Sequence, residues 1–96
     1  MSANKFNYFE ILTVPNTDFG IVADFGFVSA GFLLALTSSG ASDIVYYSFD
    51  QLTIHGVLQG GTVFEALAFD SRHESKIWFA LDTGESLLSV RVEAWA

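Results

Sequence analysis

The fold this sequence predicts is all-β: a single antiparallel β-sandwich of about eight strands, jelly-roll or Ig-like. Three observations predict it. Short runs of β-branched and aromatic residues recur along the chain, separated by turn residues at regular spacing. The last of these runs alternates apolar and polar residues with a period of two. No run carries a sustained 3.6-residue stripe behind a capping box, so helix has no local support.

The first run, Phe6 to Val14, places Phe6, Tyr8, Leu12 and Val14 on one face, and the turn chemistry of Pro15-Asn16-Thr17-Asp18 stops it. Phe19 to Phe25 is the second run. Phe27 to Thr37, broken near Ser29-Ala30-Gly31, is the third. The polar stretch Ser38-Ser39-Gly40-Ala41-Ser42 leads to Asp43 to Phe49, rich in the strand formers Ile44, Val45, Tyr46 and Tyr47. Asp50-Gln51 reads as a tight hairpin turn into Leu52 to Leu58. Gln59-Gly60-Gly61 then precedes Thr62 to Phe69, and the charged loop Asp70-Ser71-Arg72-His73-Glu74 precedes Lys76 to Leu81. Asp82-Thr83-Gly84-Glu85 reads as a hairpin turn ahead of Leu87 to Trp95.

In that last run Leu88, Val90, Val92 and Ala94 face one way, and Ser89, Arg91, Glu93 and Trp95 the other, which assigns one buried and one largely solvated face. The third run differs, because Phe27-Val28 and Phe32 to Leu36 are apolar on both faces. In an antiparallel sheet this implies a second buried surface. Phe25, Phe27, Phe32, Leu34 and Leu36 are therefore the expected contact with another subunit.

Composition supports the same direction. Ninety-six residues make one domain, 1–96, with a modest core. Cysteine is absent, so neither disulfides nor thiolate metal sites hold the chain together. Apolar residues make up 51% and charged residues 16%, against about 25% charged in an average domain. Fifteen aromatic rings, ten of them Phe, exceed what a monomer of this size easily hides. The net charge of −7 repels phosphate, and Lys5, Arg72, Lys76 and Arg91 form no basic run, so neither nucleic acid nor anionic lipid is an expected partner. Met1 to Phe6 lacks the layout of a signal peptide, and the twelve residues from Phe25 to Leu36 are too few to span a bilayer as a helix, which needs about 20.

Four groups of residues are candidates for chemistry. The loop from Asp70 to Glu74 offers a base, a hydroxyl and carboxylates, but five consecutive residues cannot all converge on one atom; a solvated loop with Arg72 or Lys76 paired to a nearby acid is the expectation. His55 and His73, with Asp50 or Asp70, are compatible with a metal site but carry no ligand spacing that specifies one. Asp18 with Asp24, or Glu65 with Asp82, would make a glycosidase pair only at the right separation, and Glu65 more readily pairs with Arg91 or Lys76. Tyr46, Tyr47 and Trp78 would stack a sugar if exposed, but their alternation within strands is that of core and interface positions. No catalytic, cofactor or metal residue is assigned, and the chain is not expected to be an enzyme.

Two stretches carry a resemblance. One is Tyr46-Tyr47-Ser48-Phe49-Asp50 leading to Ile54-His55-Gly56. The other runs from Ala68-Phe69-Asp70-Ser71-Arg72-His73-Glu74 through Ser75-Lys76-Ile77-Trp78-Phe79 and closes on Val90-Arg91-Val92-Glu93-Ala94-Trp95-Ala96. Together they cover about the C-terminal two-thirds of the chain, and they resemble a group of short virion proteins of tailed bacteriophages. The resemblance implies a β-sandwich that decorates or cements the capsid, self-associates as a homo-oligomer (a trimer among the forms) and binds the major capsid protein or other virion proteins. Such a subunit is assembled in the host cytoplasm and resides in the virion. The alternative within the same resemblance is a tail or fibre component, or a receptor- or glycan-binding module.

Overall fold

A computed structural model describes residues 7–37, 43–60, 66–85 and 87–96, and every regular element within them is a strand. In chain order these are β1 (Asn7–Val14), β2 (Ile21–Asp24), β3 (Gly31–Leu36), β4 (Ile44–Ser48), β5 (Gly56–Gln59), β6 (Ala66–Phe69), β7 (Lys76–Leu81) and β8 (Leu88–Trp95). They form two four-stranded sheets, in the orders β1-β8-β3-β6 and β2-β7-β4-β5.

The pairing follows one rule. β1 pairs with β8, β2 with β7, β3 with β6 and β4 with β5, all antiparallel. That is the connectivity of a long antiparallel ribbon, turned back on itself between β4 and β5 and rolled into two layers. It is a jelly roll, not the seven-stranded arrangement of an immunoglobulin constant domain.

The alternating patterns of the strands meet between the sheets. From one side come Tyr8, Leu12 and Val14 of β1, Val90, Val92 and Ala94 of β8, and Phe32, Leu34 and Leu36 of β3. From the other come Ala23, Val45, Tyr47, Leu58, Ile77, Phe79 and Leu81. Phe32, 0% exposed, is ringed by other aromatics, with ring centroids 4.6 Å from Phe69, 5.8 Å from Phe49 and 6.3 Å from Phe25. Burying each such side chain stabilises the fold by roughly 1.5–3 kcal/mol.

This core corrects the expected subunit contact. Phe25, Phe32, Leu34 and Leu36 are buried inside the chain's own sandwich, and Phe27 packs half-buried against it. The apolar stretch is not one strand with two buried faces. Phe25 follows β2, Gly26 turns the chain at φ +78°, Phe27 and Val28 lie in the connection, and only from Gly31 does β3 begin. On β3 the residues that face outward are Gly31, Leu33 and Ala35. Two of these are small, and the strand lies between β8 and β6, whose side chains shield it. At Gly31 the Trp95 ring lies across the backbone: a Cβ there would sit 2.7 Å from both the ring and the Phe69 carbonyl.

Two turns also differ from the sequence expectation. The β4–β5 connection is not a two-residue turn; it runs from Phe49 to His55. Asp50 Oδ1 accepts hydrogen bonds from the amides of Leu52 and Thr53, both at 2.8 Å, and from Ser48 Oγ at 3.0 Å. Ser48 Oγ in turn accepts from the Gln51 amide at 3.0 Å, and Gln51 takes φ +70°. Side chains here satisfy amides that a hairpin ladder would otherwise pair. Those amide donors hold the Asp50 carboxyl at a pKa of about 2. A depressed folded-state pKa stabilises the fold above the ordinary carboxylate range, and the contribution is lost as pH falls through about 2. Asp50→Ala should therefore lower the urea midpoint most above about pH 4, and the gap from the parent chain should close as pH approaches 2. A gap that stays constant across a urea–pH series would show that the carboxylate charge has no part in the cap.

At the other turn, Gly84 takes φ +88° and the Glu85 amide donates to the Asp82 carbonyl at 3.1 Å. The strands it joins lie in different sheets, so it links the two layers instead of closing a hairpin. At the β1 edge, Glu10 occupies an inward register position opposite Val92 and accepts the Tyr8 hydroxyl. Burial first, then this bond, raises the Tyr8 phenol. A charge placed so on an edge strand discourages a further strand from adding there.

Candidate functional site

The outward positions of the β1-β8-β3-β6 sheet fall into rows across the strands. One row is Ile11, Arg91, Ala35 and Ala66; the next is Phe9, Glu93, Leu33 and Ala68. Phe9 is 62% exposed and Ile11 54% exposed, while Ala35, at 5%, forms the floor of a cleft of about 470 Å³ lined also by Phe9, Ile11, Thr37, Ala66 and Arg91. An apolar surface of this kind on a rigid sheet is the candidate interaction face.

Its charge is balanced. Among the described residues Glu93 is the one carboxylate at an outward strand position of this face, and Arg91 Nε lies 3.3 Å from it. That nitrogen is closed off from solvent yet makes no hydrogen bond among the described residues. The other described acids lie in loops, in the opposite sheet, or, for Glu10, at an inward register position. Among the described residues the strand positions of the patch thus carry no net charge, on a chain of net charge −7. Glu65, the partner expected for Arg91, lies outside the described residues.

The other candidates are placed differently. In the loop from Asp70 to Glu74, Arg72 pairs with Glu74 at 2.8 Å, and its guanidinium lies 4.1 Å from the Phe49 ring centroid. His73 Nδ1 donates to the carbonyl of buried Ser29 at 2.9 Å, and Ser29 exchanges backbone and hydroxyl bonds with Glu74. The loop fastens the β2–β3 connection to the sheet ends, and these ring and hydroxyl atoms are taken up by that fastening. His55 Nδ1 accepts the Phe49 amide at 3.0 Å, which leaves its proton on Nε2. Among the described residues no three of His, Asp and Glu gather as metal ligands.

Tyr47 points into the core, whereas Tyr46 and Trp78 are half-buried on the outside of the β2-β7-β4-β5 sheet. The Tyr46 hydroxyl donates to Asp82 at 2.9 Å, and that carboxylate raises its pKa. The three rings therefore share no stacking surface. Asp24 accepts the Gly26 amide at 3.1 Å as a turn cap.

Sequence reasoning missed Phe9 and Ile11. Placing Tyr8, Leu12 and Val14 on one face leaves these two on the other, so a two-sided apolar pattern was present in the first run as well as the third. The fold and this face define a small jelly-roll sandwich whose outer β1-β8-β3-β6 sheet exposes Phe9 and Ile11. Comparison with protein-family models, with curated proteins and with solved structures finds no match. Among the described residues no helix is long and apolar enough to cross a membrane.

Proposed function

We propose that this chain is a structural subunit of a tailed-bacteriophage particle, a head decoration or cement protein that associates with copies of itself and seats on the major capsid protein. The observation that carries the reading is the apolar outer sheet around Phe9 and Ile11, presented by a fold whose polar loop groups are occupied in holding the loops together. A decoration subunit needs a rigid scaffold and apolar contact surface, and acidic charge elsewhere keeps it soluble at high local concentration. The resemblance carried by Tyr46 to Gly56 and by Ala68 to Ala96 supplies the particle. The alternative of a receptor- or glycan-binding module has less support, because Tyr47 lies in the core and Tyr46 is tied to Asp82.

Purified chain mixed with undecorated phage shells should co-sediment with them to a saturating, lattice-defined copy number. It should also self-associate at micromolar concentration in the ultracentrifuge. A chain that stays monomeric and leaves the shells bare would end this reading.

A further inference from the structure

We propose that the outer face of the β1-β8-β3-β6 sheet docks against the same face of a second copy, with Arg91 of each copy opposite Glu93 of the other. The inference rests on reading the chain as a self-associating subunit, and it adds which surface associates and in what register.

Exposure selects the face and charge permits it: Phe9 and Ile11 are the most exposed large apolar side chains on the described strands. Two copies of net charge −7 repel, and like charges brought together at an interface cost several kcal/mol. Among the described residues the strand positions of the β1-β8-β3-β6 face bring one cation and one carboxylate from each copy, so apposing them adds no net charge.

Geometry selects the register. Rows containing Arg91 and Glu93 are neighbours on the same face of β8. A two-fold axis running across the strands between these rows keeps β8 opposite β8 and exchanges the rows. Arg91 then meets Glu93 of the second copy, Ile11 meets Phe9, and the hollow at Ala35 receives Leu33. Large side chains oppose small ones or exposed rings, and each contact occurs twice, as an isologous interface requires. The Arg91 side chain keeps 40% of its surface exposed, so the outer part of its guanidinium is open to the facing carboxylate.

Size sets the strength. Four strands about 4.8 Å apart, crossed by an eight-residue strand at about 3.3 Å per residue, give a face of roughly 500 Å². A standard interface buries about 800 Å² per partner. The pair is therefore weak and concentration-dependent in solution, and suited to a shell in which many such contacts act together.

The test is sedimentation equilibrium over a concentration series, with folding of each variant checked by circular dichroism. Arg91→Glu and Glu93→Arg should each weaken self-association by about tenfold or more, since each places like charges opposite one another. Mixing the two variants one to one should restore association, because each then faces its opposite. No arrangement within a single chain can produce that rescue. Phe9→Ser should weaken association, and Leu52→Asp, in the β4–β5 connection at 87% exposed, should leave it unchanged. Should the charge variants not fold, Phe9→Ser against Leu52→Asp decides alone. Variants that associate like the parent, or a mixture that stays apart while the parent associates, overturn the proposal. If Leu52→Asp alone breaks association, another surface is used and the subunit reading stands. If the parent chain is monomeric yet decorates shells, the docking face is overturned and the subunit reading again stands.

Discussion

Replacing Phe32 with alanine is expected to remove about 3–5 kcal/mol of stability, the largest single effect in this chain. The ring is fully buried at the centre of the sandwich and touches three other rings drawn from different parts of the sequence: Phe25 after β2, Phe49 after β4 and Phe69 of β6. Truncation takes away the transfer energy of the ring and leaves a cavity that the paired strands cannot collapse to fill. Marginal domains hold only about 5–15 kcal/mol in total, so the melting temperature should fall by about 15 °C or more. Thermal and urea unfolding followed by circular dichroism measure this directly. A loss under about 1 kcal/mol would mean that the aromatic cluster does not organise the core.

The second large effect comes from adding a single methyl group. Gly56 of β5 stands directly across from Tyr47 of β4, and the Tyr47 ring lies over its backbone, so a Cβ at 56 would overlap the ring and its hydroxyl. The ring has little room to give way. It is buried, with Phe49 at 5.5 Å and Phe69 at 5.9 Å between centroids. Gly56→Ala should therefore destabilise by about 1–3 kcal/mol, although alanine is elsewhere the better strand residue. The cause can be isolated in a double-mutant cycle. In a Tyr47→Ala background the same Gly56→Ala change should become neutral or mildly stabilising. Additive effects in the two backgrounds would show that the ring is not what the methyl group meets.

Much of this fold was legible because alternation is a local property. β8 could be read residue by residue, with Leu88, Val90, Val92 and Ala94 inward, and β7 begins and ends where its apolar run does. What alternation leaves open is which strands become neighbours. Phe32 and Leu34 look doubly buried in sequence. Whether their second surface is another subunit or their own neighbouring strands depends on β3 lying between β8 and β6, which is set by contacts far apart in the chain. The same limit applied at Asp50. Its turn chemistry was visible, but the length of the loop it caps depends on where β5 begins to pair. Phe9 and Ile11 are inconspicuous in the sequence for a different reason. The most apolar segment is β3, whereas Phe9 and Ile11 are two apolar residues in a mixed run, and their exposure follows from β1 being an edge strand.

The nested pairing has a consequence for how the chain reaches this form. Tyr47 and Gly56 are nine residues apart, whereas Asn7 meets Trp95 across nearly the whole sequence. Closing the outer pair from an open chain costs about 2 kcal/mol more loop entropy than closing the inner one. The economical order starts from β4 and β5 and adds pairs outward, each new pair shortening the loop that the next must close. β1 joins β8 at the end of that order. In that order the rows carrying Phe9, Ile11, Arg91 and Glu93 come together last. Under the proposed subunit reading, a chain that is still folding offers its neighbours no finished surface, and assembly waits for a completed fold.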